Sequence, residues 1–267
     1  MTNLDTNRIA ELLKPFLTGV PDLNKNCRSG DTCHSEQSEE SEFASHATLS
    51  ESQLENISTY IDLLLRWNAR INLTAIRQPE GIVTRHFGES FFAARHLFPK
   101  KIALEKPTRG KPAKPALSEA EGGVQGEQSS AQSVIDLGSG AGFPGLPIKI
   151  WAPEIALTLI ESNQKKATFL REVARALTLT NINVFSGRAD QYGSSSVDVV
   201  TLRAVERFES ILPLAAKLVA PNGQLALLIS EGQLATAHNL TPTFRWASPI
   251  PIPLSSSRIF AVGIRKL

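Results

Sequence analysis

The sequence predicts an α/β fold: a doubly wound, Rossmann-like and mostly parallel sheet of seven strands, with a small helical part ahead of it. Three observations lead there. From residue 133 onward, short apolar runs alternate with helical patterns. The first of those runs empties into a glycine-rich turn that leads into a helix. Before residue 99, by contrast, apolar residues recur only at helical spacing.

The elements follow in chain order. Ile9, Leu12, Leu13 and Phe16 mark a short amphipathic helix over residues 7–16. Ser50 and Gln53 form a capping box, and Leu54, Ile57, Ile61, Leu64 and Leu65 carry the helix behind it to about Trp67. Pro79 suits the first position of another helix, whose apolar positions include Ile82, Val83, Phe87, Phe91, Ala94 and Leu97. Strands are expected at 134–137, 157–161, 182–185, 197–202, 224–229, 244–247 and 258–264, with helices at 167–177 and 209–218.

Two tracts depart from this pattern. Residues 24–47 contain the run Ser-Glu-Gln-Ser-Glu-Glu-Ser-Glu, which cannot bury apolar surface and is expected to be disordered. Residues 99–132 are rich in Pro, Lys, Gly, Glu and Ser and read as a flexible inserted linker. The expected organisation is therefore an N-terminal helix (1–23), a disordered insertion (24–47), a helical subdomain (48–98), a linker (99–132) and the α/β domain (133–267). Setting aside the four Glu of the acidic run takes the formal charge from +2 to +6, so the folded part is the more basic.

With 42% apolar and 20% charged residues, collagen, a coiled-coil rod and a wholly disordered chain are excluded. No apolar run is long enough to cross a bilayer, and the first 17 residues lack the apolar core of a signal peptide, so a cytoplasmic location is expected. Cys27 and Cys33 are too few for a disulfide framework, and with His34 they fit no zinc-site spacing, so no metal is expected.

The most informative stretch is Asp136-Leu137-Gly138-Ser139-Gly140-Ala141-Gly142-Phe143-Pro144-Gly145. In an open α/β sheet, such a loop lies outside the carboxyl ends of the strands, where ligands bind. It formally matches the dinucleotide pattern GxGxxG. Pro144 fits that pattern poorly, and the Asp136 carboxylate would repel a pyrophosphate. A carboxylate suits a ligand bearing an ammonium and a sulfonium, as S-adenosylmethionine does. The arrangement resembles motif I of class I S-adenosylmethionine-dependent methyltransferases. Glu161, 23 residues after Gly138, ends the second strand, where an acid can accept from both ribose hydroxyls of a nucleoside. Asp190, after the third strand, either accepts from an adenine amine or caps a helix. Arg203, at the end of the fourth strand, either grips a cofactor carboxylate or RNA phosphate, or pairs with Glu206 or Asp198.

These residues together resemble a specific family. Trp67-Asn68, Asn72-Leu73-Thr74-Ala75-Ile76, Arg85-His86-Phe87, the glycine loop, Arg203-Ala204 and Pro221-Asn222-Gly223 are similar to the glucose-inhibited division protein B family. Its members methylate N7 of a guanine in bacterial 16S ribosomal RNA. The resemblance covers residues 50–98 and 133–267 and implies a small helical part on a class I methyltransferase domain. It places cofactor contacts on Gly138, Phe143, Ala189, Asp190 and Arg203, beside Asp136, Gly140 and Glu161 from the loop reading. The two long tracts look inserted, and Glu231-Gly232 stands where the family usually has Lys-Gly.

For RNA contact, Arg85 and His86 in the helical section and Lys165 and Lys166 after the second strand are the candidates, each group having a plain surface or interhelical role as its alternative. No catalytic residue is assigned. The partner implied is 16S ribosomal RNA or the small subunit, with no membrane and a monomer as working unit. A nicotinamide oxidoreductase on the same sheet, a methyltransferase for other substrates and a non-catalytic RNA-binding homologue stay open at this point.

Overall fold

The computed structural model describes residues 4–18, 48–99, 131–193, 196–205 and 207–267. The expected insertion at 24–47 and nearly all of the 99–132 tract, with Cys27, Cys33 and His34, lie outside them.

The helical section has three parts. Helix α1 (Thr6–Leu17) is capped by Asp5, which accepts from the Arg8 amide at 2.8 Å, and it buries Ile9, Leu13, Phe16 and Leu17. Helix α2 (Glu51–Asn68) starts on the Ser50–Gln53 capping box. Gln53 then reaches on through Nε2 to donate to the Ile150 carbonyl at 2.6 Å. The third part starts as α3 (Pro79–Ile82), widens into a π-helical turn over Val83–Gly88 and closes as α4 (Glu89–Leu97). The sequence predicted one regular helix here. The π-turn shifts its register by one residue, and such turns concentrate at functional sites. This one carries Arg85 and His86.

The α/β part runs β1 (Ser133–Leu137), α5 (Gly145–Trp151), β2 (Ala156–Glu161), α6 (Gln164–Ala176), β3 (Ile182–Ser186), β4 (Val197–Arg203), α7 (Phe208–Leu218), β5 (Val219–Ser230), α8 (Leu234–Leu240), β6 (Phe244–Trp246), β7 (Ile250–Pro251) and β8 (Arg258–Arg265). The strand order is β3-β2-β1-β4-β5-β8-β6. Strands β1 to β5 pair in parallel, and β8 returns antiparallel to β5. The seven expected strands are these. An eighth, β7, pairs with β8 through only two residues, too short to leave a periodic signal, and its Pro251 lacks the N–H of a central strand.

Neighbouring strand residues alternate between two cores, as the pleat requires. Val134, Leu159, Val199 and Ala226 face one core with Tyr60, Phe87, Phe91 and Phe169. Ile135, Ile160, Val200 and Leu225 face the other with Leu212, Ala215 and Ala237. The helical section therefore shares the first core with α5 and α6. Polar bonds tie its edges: Trp151 Nε1 donates to the Phe98 carbonyl at 2.9 Å, and Arg95 to that of Phe16 at 2.9 Å.

Gly88 is where α1 meets the π-turn. A Cβ there would lie 2.5 Å from the buried Phe16 ring. Gly88→Ala is expected to cost about 1–3 kcal/mol of unfolding free energy, read by chemical denaturation; an unchanged midpoint would contradict this packing.

Candidate active site

Strand β1 ends at the centre of the sheet, between β2 and β4, and its chain must turn at once into α5. Gly138 (φ +73°) and Gly142 (φ +90°) take backbone conformations that a side chain strains. The Gly138 and Ser139 amides donate to the Ile160 carbonyl at 2.9 and 3.1 Å, holding the loop against the tip of β2.

Two buried carboxylates complete the loop. Glu161 accepts from the Gly140 amide at 2.8 Å through Oε2 and from the Asn163 amide at 2.7 Å through Oε1. It lines a cleft of about 530 Å³ at the carboxyl edge of the sheet. Asp136 stands behind the loop. It accepts from Thr201 Oγ1 at 2.9 Å and from the Gly145 amide at 3.1 Å. Burial raises its carboxyl to about 6, against the opposing pull of the Thr201, Gly145 and Ser139 hydrogen bonds and of Arg203. The sequence reading set Asp136 beside the ligand; instead it is 1% exposed, does not line the cleft, and organises the turn from inside. A carboxylate in the middle of a strand is necessarily aimed at one face, and here that face is covered by α5.

The helical section closes one wall of the cleft. Tyr60 donates to the Ala141 carbonyl and lies nearly parallel to the Phe143 ring, 5.3 Å between centroids. Phe87 meets both rings edge-on. His86 stacks on Phe143 at 4.7 Å. Phe143 thus lines the cleft and is also a packing residue, 6% exposed.

A chain of polar contacts crosses the same wall. Buried Asn68 accepts from the Leu73 and Thr74 amides and donates to the Thr74 carbonyl, shaping the Asn-Leu-Thr segment. Thr74 Oγ1 then meets His86 Nε2 at 2.7 Å, and Arg203 meets His86 Nδ1 at 3.1 Å. A guanidinium can only donate, so Nδ1 accepts and the ring proton sits on Nε2. Burial, followed by the charges of Arg203, Arg85 and Arg258, lowers the ring to about 3. Both ring nitrogens are engaged within the protein, so His86 takes the linking role that the sequence left open beside RNA contact.

Arg203 does not pair with Asp198, which is taken up by Ser133. Its partner is Glu89 of α4, which receives Nε at 3.2 Å and NH2 at 3.0 Å; NH2 also donates to the Arg85 carbonyl. Glu89 is 1% exposed and collects Arg85 and Arg258 as well, at 3.2 and 3.0 Å. Sequence reasoning missed it. An acid inside an apolar helical run signals a buried cation partner, but which cation is a tertiary fact. Half-exposed Arg85 stays at the rim.

The other expected residues also gather at the cleft. Gly138, Gly140, Ala189, Asp190 and Lys166 line it. Asp190 sits inside a 3₁₀ turn (Ala189–Gln191) and does not cap it; it pairs with Arg188 at 3.2 Å and stays exposed. Lys165 is exposed at the start of α6 and does not line the cleft. Among the described residues there is no cluster of three or more His, Cys, Asp or Glu that could hold a metal ion, and no helix is long and apolar enough to cross a membrane.

This strand order, with its antiparallel β8 and a glycine loop at the tip of β1, defines a class I, Rossmann-like methyltransferase fold. Residues 53–103 and 122–246 match the family model described as GidB, rRNA small subunit methyltransferase G. Curated relatives agree. The ribosomal RNA small subunit methyltransferase G of Streptococcus agalactiae is 33% identical over 205 residues, covering 73% of this chain and 74% of that protein. That of Bacillus subtilis is 32% identical over 186 residues, 68% of this chain and 66% of that protein. That of Roseiflexus is 37% identical over 187 residues, 66% of this chain and 67% of that protein. The chain belongs to the GidB family of small-subunit rRNA methyltransferases. The gap between the two matched segments, 104–121, falls within the tract that read as an insertion.

The unfolded chain binds a proton on His86 near 6.5 and the folded chain only near 3. Stability linked to His86 is therefore full above 6.5 and falls as pH drops towards 3. Asp136, raised from 3.8 to about 6, slopes the other way, so comparing wild type with His86→Gln isolates the histidine. The variant is expected to lose that acid-side slope in denaturation curves. A folded-state ring midpoint near 6.5 by NMR would contradict the assignment.

Proposed function

We propose that this protein transfers the methyl group of S-adenosylmethionine to N7 of a guanine in 16S ribosomal RNA, acting as a cytoplasmic monomer on the RNA or the small subunit. The observation that carries the reading is the pairing of family membership with a glycine loop whose shape is held by the acid at the tip of β2.

The residues fit the cofactor. The cleft has nucleoside dimensions, a backbone cradle at Gly138 to Gly140 and a carboxylate, Glu161, with lone pairs left after its two amide bonds. A Cβ on Gly138 would sit 3.0 Å from Val205 in a strained conformation. Gly138, Gly140 and Glu161 would hold the ribose side, and Ala189 and Asp190 the adenine, with Phe143 and Arg203 forming the wall opposite. When bound, S-adenosylmethionine supplies an electrophilic methyl group on a sulfonium.

Guanine N7 carries an in-plane lone pair and needs no deprotonation, so the chain has to position and not to abstract a proton. The side chains agree with that demand. His86, the histidine on the cleft wall, has its Nδ1 lone pair on Arg203 and its proton on Thr74, and cannot serve as a base. Tyr60 has its hydroxyl committed to Ala141. A nicotinamide oxidoreductase would need such a proton-relay group beside the loop, and these two are spent.

Undermodified small subunits incubated with the protein and labelled S-adenosylmethionine should yield 7-methylguanosine in nucleoside mass spectrometry. Cofactor and RNA binding without that product would assign a non-catalytic RNA-binding homologue instead. Gly138→Val adds strain of about 1–3 kcal/mol and should weaken cofactor binding in calorimetry by at least roughly 10-fold; unchanged affinity would remove the loop from the site.

A further inference from the structure

A second pocket of about 260 Å³ opens on the other side of Arg203, across the carboxyl ends of β4 and β5 and the start of β8. Arg85, Arg203, Arg258, Ser230, Gln233 and Ser257 line it. Arg258 opens β8 directly opposite Ser230, the last residue of β5.

Its charge does not balance. Three guanidinium groups converge on one carboxylate, Glu89, which lies behind the lining, and no carboxylate among the described residues lines the pocket itself. The excess is two positive charges. Glu231, which follows Ser230, does not line it either.

The three arginines are not equivalent. Arg203 has its donors on Glu89, His86 and the Arg85 carbonyl. Arg258 is different. Its NH2 lies 3.0 Å from Glu89, yet neither NH2 nor Nε makes an aligned hydrogen bond, and both atoms are buried. Glu89 Oε1 is likewise enclosed and without a hydrogen bond, so these atoms belong to the ion-pair cluster behind the pocket wall. The third nitrogen of Arg258, NH1, is neither enclosed nor hydrogen-bonded, and Arg258 lines the pocket beside the hydroxyl-bearing Ser230 and Ser257, so one charged donor is left for an anion's oxygen.

We infer that this pocket receives a phosphodiester of the RNA next to the methylated nucleotide, with Arg258 as its charged anchor. The inference rests on the RNA-methyltransferase reading above. The pocket and the cofactor cleft share Arg203, Ala204 and Val205, so a phosphate seated here holds its nucleotide against the wall that both cavities have in common. Arg258 is then a positioning residue: it grips the backbone and leaves the base free to enter the cleft.

The test uses the full chain, undermodified 16S ribosomal RNA and S-adenosylmethionine. RNA affinity is measured across a salt series and cofactor affinity by calorimetry. Arg258→Ala should weaken RNA binding by about 10-fold and lower the log–log salt slope by about one, with cofactor affinity unchanged. Arg258→Lys should restore the slope and most of the affinity, because an ammonium keeps the charge and a donor. Should Arg258→Ala fail to fold, Ser257→Glu decides: it leaves the ion pairs of Glu89 intact, sets a carboxylate in the wall and should repel the RNA to a similar extent. RNA affinity and salt slope equal to wild type in either folded variant would overturn the pocket. Loss of cofactor affinity in Arg258→Ala would overturn it too, by assigning the anion to the cofactor carboxylate. The wild-type control separates the two claims: no 7-methylguanosine sinks the RNA-methyltransferase reading, whereas normal product with unaffected variants sinks only the pocket.

Discussion

A single buried carboxylate sets how the helical section meets the sheet. Glu89 is almost fully enclosed, and enclosing a charge costs several kcal/mol unless cations reach it. Three do, from the π-turn, from the tip of β4 and from the start of β8. Because Arg203 and Arg258 come from distant parts of the chain, their pairing with Glu89 fixes the helical layer over the carboxyl edge of the sheet. The order extends further. Asn68 shapes the loop that presents Thr74, Thr74 receives the His86 proton, and His86 receives Arg203. Breaking any link leaves a buried donor or acceptor unpaired, so the wall behaves as one unit.

That wall explains why the glycine loop has its shape before any ligand is considered. The loop is held from below by Asp136, from the side by Glu161 and from above by Tyr60. A preformed cradle spares the ordering cost that a flexible loop would add on binding. The same logic accounts for Phe143, whose ring forms part of the cleft only because Tyr60, His86 and Phe87 lock its position.

Much of this was legible in the sequence, and the limit has a physical reason. Short apolar runs such as 157–161 and 224–229 showed as strands because a strand covered on both faces is apolar almost throughout. The Ser50 capping box is a contact between residues three apart, so it too could be read directly. The glycine loop, Glu161 and Asp190 were placed at the cleft by their position at strand ends. What stayed hidden was long-range. Arg203 and Glu89 are 114 residues apart, and nothing local pairs them. The direction of the Asp136 side chain depended on which helix covered that face of β1. The π-turn keeps the apolar spacing of an ordinary helix well enough to pass for one, and β7 is held by its partner strand alone.

The central structural claim is that the helical layer clamps the cofactor loop through Tyr60. Amide hydrogen exchange of residues 138–142 in the Tyr60→Phe variant tests it most directly, since the change removes the hydroxyl and keeps the ring. The account predicts faster exchange in that loop with protection in β2 and β4 unchanged. Loop protection equal to wild type in the folded variant would contradict it.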